Sequence, residues 1–374
     1  MHDGKPITCS LYIHIPFCRS FCDYCDFYSI LKNSVNEKYI DDFLQALIAD
    51  IKHQIDFFNI NQIPTVYIGG GTPSVLHGKI KILLDFLNSI SDFSPVEFTI
   101  EANPESVTEE FLYECKKGGV NRLSLGVQSF NAHSLSSVNR QPIVNEKIFS
   151  LVHEYFKDSF SVDLITGFPF HDEKIIHVDI KRILDYKPSH VSLYSLTLEK
   201  NTKLNEKIKN KEVVLPDSDT SDLLWLAGKN TLINKGFNHY EISNFSINNM
   251  SCKHNMRYWK MENWIGAGPS ASGTIINEQT AEAARYTYRD DTDYYIKNPK
   301  IENAFLEKIG KNVLMRDMFL MGYRCKEGPD KVLFKKRFGK EIEEYIPRTL
   351  VNWKDKDKML FLNQFLKDVF SELK

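Results

Sequence analysis

Between residues 10 and 199 the chain repeats one unit: a short apolar run, then a segment long enough for a helix. The runs are SLYIHIP (10–16), TVYIGGG (65–71), VEFTIEANP (96–104), NRLSLGVQSF (121–130), SFSVDLITG (159–167) and HVSLYSLTLE (190–199). After the first run, Ile40, Leu44, Leu47, Ile48, Ile51 and Ile55 recur at helical spacing and give one apolar face. KIKILLDFLNSI (79–90), TEEFLYECKKGG (108–119), VNEKIFSLVHEYF (144–156) and residues 172–186 also read as helices. Thr108 is a candidate N-cap, and glycine closes that segment. Such a series requires parallel strands joined by right-handed crossovers. It fits a partial barrel of six βα units or an open doubly wound sheet. In both, ligands gather at the C-terminal ends of the strands. The unusual residues sit there: a cysteine loop after the first strand, GGGTP after the second, Glu101 and Gln128 at strand ends, and Asp163 late in the fifth.

Past about residue 215 the pattern changes. SDLLWLAGKNTLINKGF (221–237) predicts a helix closed by Gly236, and FNHYEIS (237–243) a strand. Residues 252–273 are dense in aromatics, then in Gly and Ser, and from about 300 onward the chain reads as helical and charged. The expected division is 1–215 for the barrel, 216–300 for an extension of it, and 301–374 for a small helical domain.

The bulk numbers exclude several classes. A net charge of −2 argues against nucleic acid as the main partner. No apolar run spans a bilayer, and the first residues do not read as a signal peptide. Seven cysteines is an odd number, and Cys9, Cys115, Cys252 and Cys325 are scattered, which predicts a reducing, cytoplasmic compartment rather than a disulfide framework.

Cys18, Cys22 and Cys25 lie in HIPFCRSFCDYCDFYS (14–29) at CxxxCxxC spacing. A structural zinc site takes four ligands and a disulfide two thiols. Three thiolates suit a [4Fe–4S] cluster with one iron left open for a substrate. The amino and carboxylate groups of S-adenosylmethionine (SAM) can chelate that iron, and an electron from the cluster then cleaves the sulfonium. Zinc completed by His14, or three unrelated thiols, are the alternatives.

YIHIPFC…C..CDF, IGGGTPS, EANPE, RLSLGVQSF and HNMRYW resemble, in that order, the motifs of the radical-SAM superfamily. Within it they are most similar to the group of oxygen-independent coproporphyrinogen III oxidases and HemW heme chaperones. The resemblance spans about residues 10–275. It implies a partial (β/α)6 TIM-like barrel with a smaller, mainly α C-terminal domain. It places the cluster on Cys18, Cys22 and Cys25, and SAM against Tyr12, Tyr24, Gly70, Gly71, Thr72, Glu101, Gln128, Arg140, Asp163 and Ile265. A carboxylate can pair with an ammonium, while Gln and Asp can bind ribose hydroxyls. Tyr12 and His14 alternate with Leu11 and Ile13 and so share one side of the first strand. His14 is read as a support for the cluster surroundings or as a buried core histidine.

The oxidases add a fourth cysteine two residues after the third, where this chain has Phe27, and carry a longer stretch before the motif. Both differences match the HemW branch. HNxxYW resembles that branch's heme-binding motif, which implies heme contacts by His254, Tyr258 and Trp259, with Cys252 as an alternative thiolate ligand. Imidazole suits an axial iron site and the two rings offer flat apolar area. The implied function is heme transfer to acceptor proteins. The alternatives are decarboxylation of coproporphyrinogen III or other radical chemistry on a tetrapyrrole. Peripheral membrane contact and a homodimer stay open. The family's usual C-terminal Gly-Tyr-Leu-Thr stretch is replaced by NWKDKDK (352–358).

Overall fold

The computed structural model describes residues 5–90 and 93–373. Six strands form its centre: β1 (Ser10–Ile15), β2 (Thr65–Gly70), β3 (Glu97–Ala102), β4 (Arg122–Gln128), β5 (Phe160–Thr166) and β6 (His190–Ser195). Each pairs in parallel with the next in chain order. Sequential parallel strands with right-handed crossovers put every helix on the same face. Those helices are α1 (Glu37–Phe57), α2 (Ile80–Asn88), α3 (Glu109–Lys117), α4 (Lys147–Phe156) and α5 (Glu173–Asp185). They start where the local chemistry allows: the side chains of Asn36, Thr108 and Asp172 accept from the third residue beyond, capping α1, α3 and α5. The result is a partial (β/α)6 barrel, as expected.

Period-two alternation divides the strands. Leu11, Ile13, Val66, Ile68, Phe98, Ile100, Leu123, Leu125, Val162 and Val191 join the core under the helices. The intervening positions turn to the lumen. They read Ser10-Tyr12-His14 on β1, Thr65-Tyr67 on β2, Glu97-Thr99-Glu101 on β3, Arg122-Ser124 on β4, Ser161-Asp163 on β5 and His190-Ser192-Tyr194 on β6. Most barrels of this kind fill that space with branched aliphatics. Here it is polar from floor to mouth.

The sheet continues at both edges to twelve strands. After helix α6 (Ser218–Asn234) come β7 (Asn238–Glu241) and β8 (Asn244–Ser246); β8 adds antiparallel beside β6, and β7 antiparallel beside β8. β9 (Trp264–Ala267) adds in parallel beside β1, followed by the antiparallel β10 (Ser272–Asn277), β11 (Glu282–Thr287) and β12 (Phe305–Ile309). The sequence reading did not anticipate β10–β12. It expected helix from about residue 300, but FLEKI is an exposed edge strand whose polarity hides its pairing. A short helix, α7 (Lys253–Trp259), packs across the N-terminal end of β2. The C-terminal helices, among them α8 (Lys311–Gly322), α9 (Lys331–Phe338) and α10 (Leu362–Glu372), surround a second core of Leu314, Phe319, Phe334, Phe365 and Val369. That core also takes Ile276 and Ala283 from β10 and β11, so it is joined to the sheet. No helix among the described residues is long and apolar enough to cross a membrane.

Candidate functional site

A cavity of about 740 Å³ opens at the C-terminal ends of β2–β6. Its wall includes Cys18, Cys22 and Cys25, together with Tyr24, Gly70, Gly71, Thr72, Glu101, Gln128, Arg140 and Asp163. The fold therefore gathers three cysteines from one loop and eight of the ten residues expected around SAM. Two are not brought there. Ile265 is fully buried on β9, in register with Leu11, and belongs to the core behind the sheet. Tyr12 faces the lumen but lies below the cavity, its hydroxyl 3.1 Å from Nδ1 of His14.

The cysteine loop is held from several sides. Nε2 of His14 stands 2.9 Å from the carbonyl oxygen of Tyr28, within the loop. With its other nitrogen beside Tyr12, His14 supports the loop and has none left for zinc. The Gly71 and Thr72 amides donate to the carbonyls of Ile15 and Phe17 (both 2.8 Å). These N–H groups fasten the loop. Gly70 has φ +110°, and a Cβ there would stand 2.8 Å from the His14 ring. A Cβ on Gly71 would stand 2.8 Å from the Phe17 carbonyl and 3.0 Å from Cys18 Sγ. Close approach thus accounts for both glycines.

Arg140 is buried and spans the loop and the barrel. It donates to Gly126 O (2.6 Å), Asn103 Oδ1 (2.9 Å) and Cys22 Sγ (3.7 Å), and lies 3.9 Å from Glu105. Thr72 Oγ1 is 3.7 Å from Cys18 Sγ. No group of three or more His, Cys, Asp or Glu among the described residues converges on a single metal ion. A tetranuclear cluster needs no such convergence, since each thiolate binds a different iron. Three free thiols facing one space, with a buried guanidinium beside one of them, fit such a cluster.

Deeper in the wall, Glu101 accepts from Tyr67 Oη (2.7 Å). Burial raises its pKa to about 7, and neighbouring Asp163 adds to the shift. Asp163 lies mid-strand, rather than late as expected, and accepts from Ser124 (3.0 Å). Burial raises its pKa too. Gln128 adopts φ +68° at a break in the β4–β5 register, and its buried Oε1 has no hydrogen-bond partner. A strained residue with an orphaned acceptor facing a cavity is a ligand-binding feature. Tyr67, Ser124, Asn103 and Tyr194 were missed. The alternation of polar residues along the strands was the signal that would have found all but Asn103.

The HNxxYW segment is elsewhere. It forms α7 at the barrel floor, five residue steps and roughly 16 Å below Gly70 along β2. Glu97 caps it, accepting from the amides of Lys253 (2.9 Å) and His254 (2.8 Å) and from the Cys252 thiol (3.4 Å). Arg122 lies 3.9 Å from the same carboxylate. His254 is fully buried, with Nδ1 2.9 Å from Thr65 Oγ1 and Nε2 2.7 Å from Tyr258 Oη. Thr65 donates its own proton to Ser10 (2.8 Å), so it accepts from Nδ1–H, leaving Nε2 to accept from Tyr258. Burial lowers the pKa of His254 to about 3 and keeps the ring neutral. The structure brings His254 and Tyr258 into contact, while Trp259 lies against the Arg324 guanidinium (4.5 Å). Cys252 does not serve as a thiolate here, because burial and then Glu97 push its pKa up.

With this geometry the comparisons agree. Residues 12–183 match the model of the radical SAM superfamily. The heme chaperone HemW of Lactococcus lactis is 33% identical over 91% of this chain and 90% of its own length. That of Bacillus subtilis is 31% identical over 93% and 91%. The chain belongs to the HemW family of radical SAM proteins. Membership in the superfamily implies a [4Fe–4S] cluster and SAM, which the cavity residues fit. The HemW-family fold extends to a solved structure of coproporphyrinogen III oxidase (HemN) from Escherichia coli. That match has a TM-score of 0.78 at 20% identity and covers 97% of this chain and 90% of that one.

Proposed function

We propose that the chain is a heme chaperone of the HemW type, which binds heme and passes it to acceptor proteins while carrying a cluster and SAM. The likeness to HemW proteins over nine-tenths of both lengths carries this reading. Cys18, Cys22 and Cys25 hold the cluster, with Arg140 offsetting thiolate charge and His14 fixing the loop. Tyr24, Glu101, Gln128 and Asp163 supply the polar wall for SAM, and Gly70, Gly71 and Thr72 shape it. When bound, the cluster supplies an electron to SAM.

On this reading heme binds at α7. His254 is already neutral, as an axial ligand must be, and the tautomer set by Thr65 leaves the lone pair on Nε2. Tyr258 covers that lone pair. Binding iron therefore requires the hydrogen bond to open and α7 to lift from its seat, which lets Tyr258 and Trp259 meet the macrocycle. The compartment is cytoplasmic on this reading, since all seven cysteines are free and the site needs thiols kept reduced.

The fold match to HemN supports a second reading, oxidation of coproporphyrinogen III. Phe27, 68% exposed, stands where the oxidase pattern has its fourth cysteine. One experiment separates the two. The protein, reconstituted anaerobically, reduced and supplied with SAM, is given coproporphyrinogen III in one vessel and heme with an acceptor apoprotein in another. Heme transfer without loss of carbon dioxide is the expected result. Decarboxylated porphyrin, seen by mass spectrometry, makes the chain an oxidase and ends the chaperone reading.

A further inference from the structure

One side chain reaches both ends of the lumen. Tyr67 donates to Glu101 Oε1 in the SAM wall (2.7 Å), while its ring centre lies 5.3 Å from that of His254 on α7. It also stacks on Tyr12, with 6.3 Å between ring centres and 27° between planes. Tyr12 bonds His14, which bonds the Tyr28 carbonyl in the cluster loop. The Tyr12–Tyr67 pair is therefore in direct contact with the SAM wall and α7, and one residue from the loop. Tyr67 sits between flanking lumen positions Thr65 and Gly69, and Thr65 is the partner of His254 Nδ1.

We propose that Tyr67 couples the two cofactor sites, so that SAM bound against Glu101 tightens heme binding at His254. The inference rests on the placement of SAM and heme given above. A ligand that recruits the Glu101 carboxylate competes for the acceptor of the Tyr67 hydroxyl. Released from Glu101, the ring keeps only its contacts with Tyr12 and His254, and the surface against which His254 rests loses its one polar tether. The state in which α7 lifts is then favoured, and it is the state that binds heme. Coupling of this kind is reciprocal: heme must tighten SAM by the same factor. It also gives SAM a role in a carrier that performs no reaction on its cargo.

The test is a heme titration of the reconstituted full chain, followed by heme absorbance, with and without saturating SAM. The expected ratio of dissociation constants is about fivefold or more, the lower end of typical coupling between sites. In Tyr67→Phe, which keeps the ring and removes the bond to Glu101, the ratio falls toward one while heme still binds. A SAM titration of the wild type with and without heme must return the same factor, and needs no variant. A wild-type ratio of one, or an unchanged ratio in Tyr67→Phe, overturns the coupling. Heme binding that is untouched by His254→Ala removes heme from α7 and takes that placement and the coupling down together. Binding that needs His254 but ignores SAM ends the coupling alone.

Discussion

The mouth and the floor of the barrel are built from the same strands by the same alternation, yet they end in opposite states. At the mouth, lumen-facing Glu101 and Asp163 border a cavity, and Gln128 beside them keeps an unpartnered acceptor. At the floor, Thr65, Glu97 and Arg122 face the same way, but each is engaged by α7 or the segment leading into it, Arg122 through the Met250 carbonyl (2.9 Å). A polar lumen must be satisfied by something. At the floor the chain itself supplies most of the partners, although Arg122 Nη2 and His190 Nδ1 keep none, and the mouth is left for a ligand. Inward polar residues on a parallel strand therefore do not mark a binding site until the element covering them is known.

The largest effect should come from emptying the mouth. Cys22→Ser removes one cluster ligand and should abolish the visible absorbance of the reconstituted protein almost completely. The melting temperature of the cluster-free protein should move little, because Cys22 itself belongs to neither main core. Retention of the full cluster would remove Cys22 from the ligand set, and a large drop in apo stability would make the loop part of the core.

At the floor the balance reverses, with fold lost before any cofactor. Glu97 and Arg122 are both buried, and Glu97 also holds the first amides of α7. Glu97→Ala leaves a buried guanidinium without its counter-charge and should cost about 3–5 kcal/mol in urea denaturation. Pairing it with Arg122→Met should recover part of the loss. A double variant no better than the single would mean that the helix cap, and not the ion pair, carries the stability.

A pH series sharpens the contrast. The Glu101 pKa stands at about 7 in the folded chain, above the ordinary 4.5, because burial disfavours the carboxylate. The folded state therefore binds the proton more tightly than the unfolded one. Its contribution is full below about pH 4.5 and is lost as pH rises through about 7, on the order of 3 kcal/mol in all. Glu101→Gln should flatten the fall in apo stability between pH 5 and pH 8 by roughly that amount. Asp50 and Asp179, both raised to about 6 by burial, remain in each protein, so the difference reports Glu101 together with its neighbour Asp163. Equal slopes would mean that the mouth is wet enough to leave Glu101 at its ordinary value.

The mouth was far more legible in the sequence than the floor. Three cysteines in eight residues, three successive glycines and polar strand ends are local patterns, and the strand–helix period says they converge. Nothing local says that Glu97 caps a helix 156 residues later, or that Tyr67 touches His254. Those contacts exist only once β2 and β3 are neighbours and α7 has crossed beneath them. Ile265 lies outside the cavity wall for a related reason. A motif fixes which residues are near a ligand, but register decides which way each points, and pairing with Leu11 turns Ile265 away from the lumen. β10–β12 were illegible because none shows a period-two pattern: the middle of β10 is buried on both faces, β11 is half-buried without regular alternation, and β12 is an exposed edge.

The smallest predicted effect is the most discriminating for the floor. Tyr258→Phe removes one hydrogen bond and leaves the ring in place. In the heme-free protein Nε2 of His254 becomes an unsatisfied buried acceptor, which costs about 1–3 kcal/mol. If heme iron takes that lone pair, the bound state never had the hydrogen bond to lose. The variant should then be less stable without heme and bind heme several-fold more tightly, since about 1 kcal/mol of competition is gone. A weaker heme complex would give Tyr258 a direct role against the macrocycle that outweighs its masking of His254. Unchanged affinity, with the apo destabilisation still present, would leave α7 as a structural plug, and the floor would be a wall in the same sense that the mouth is a site.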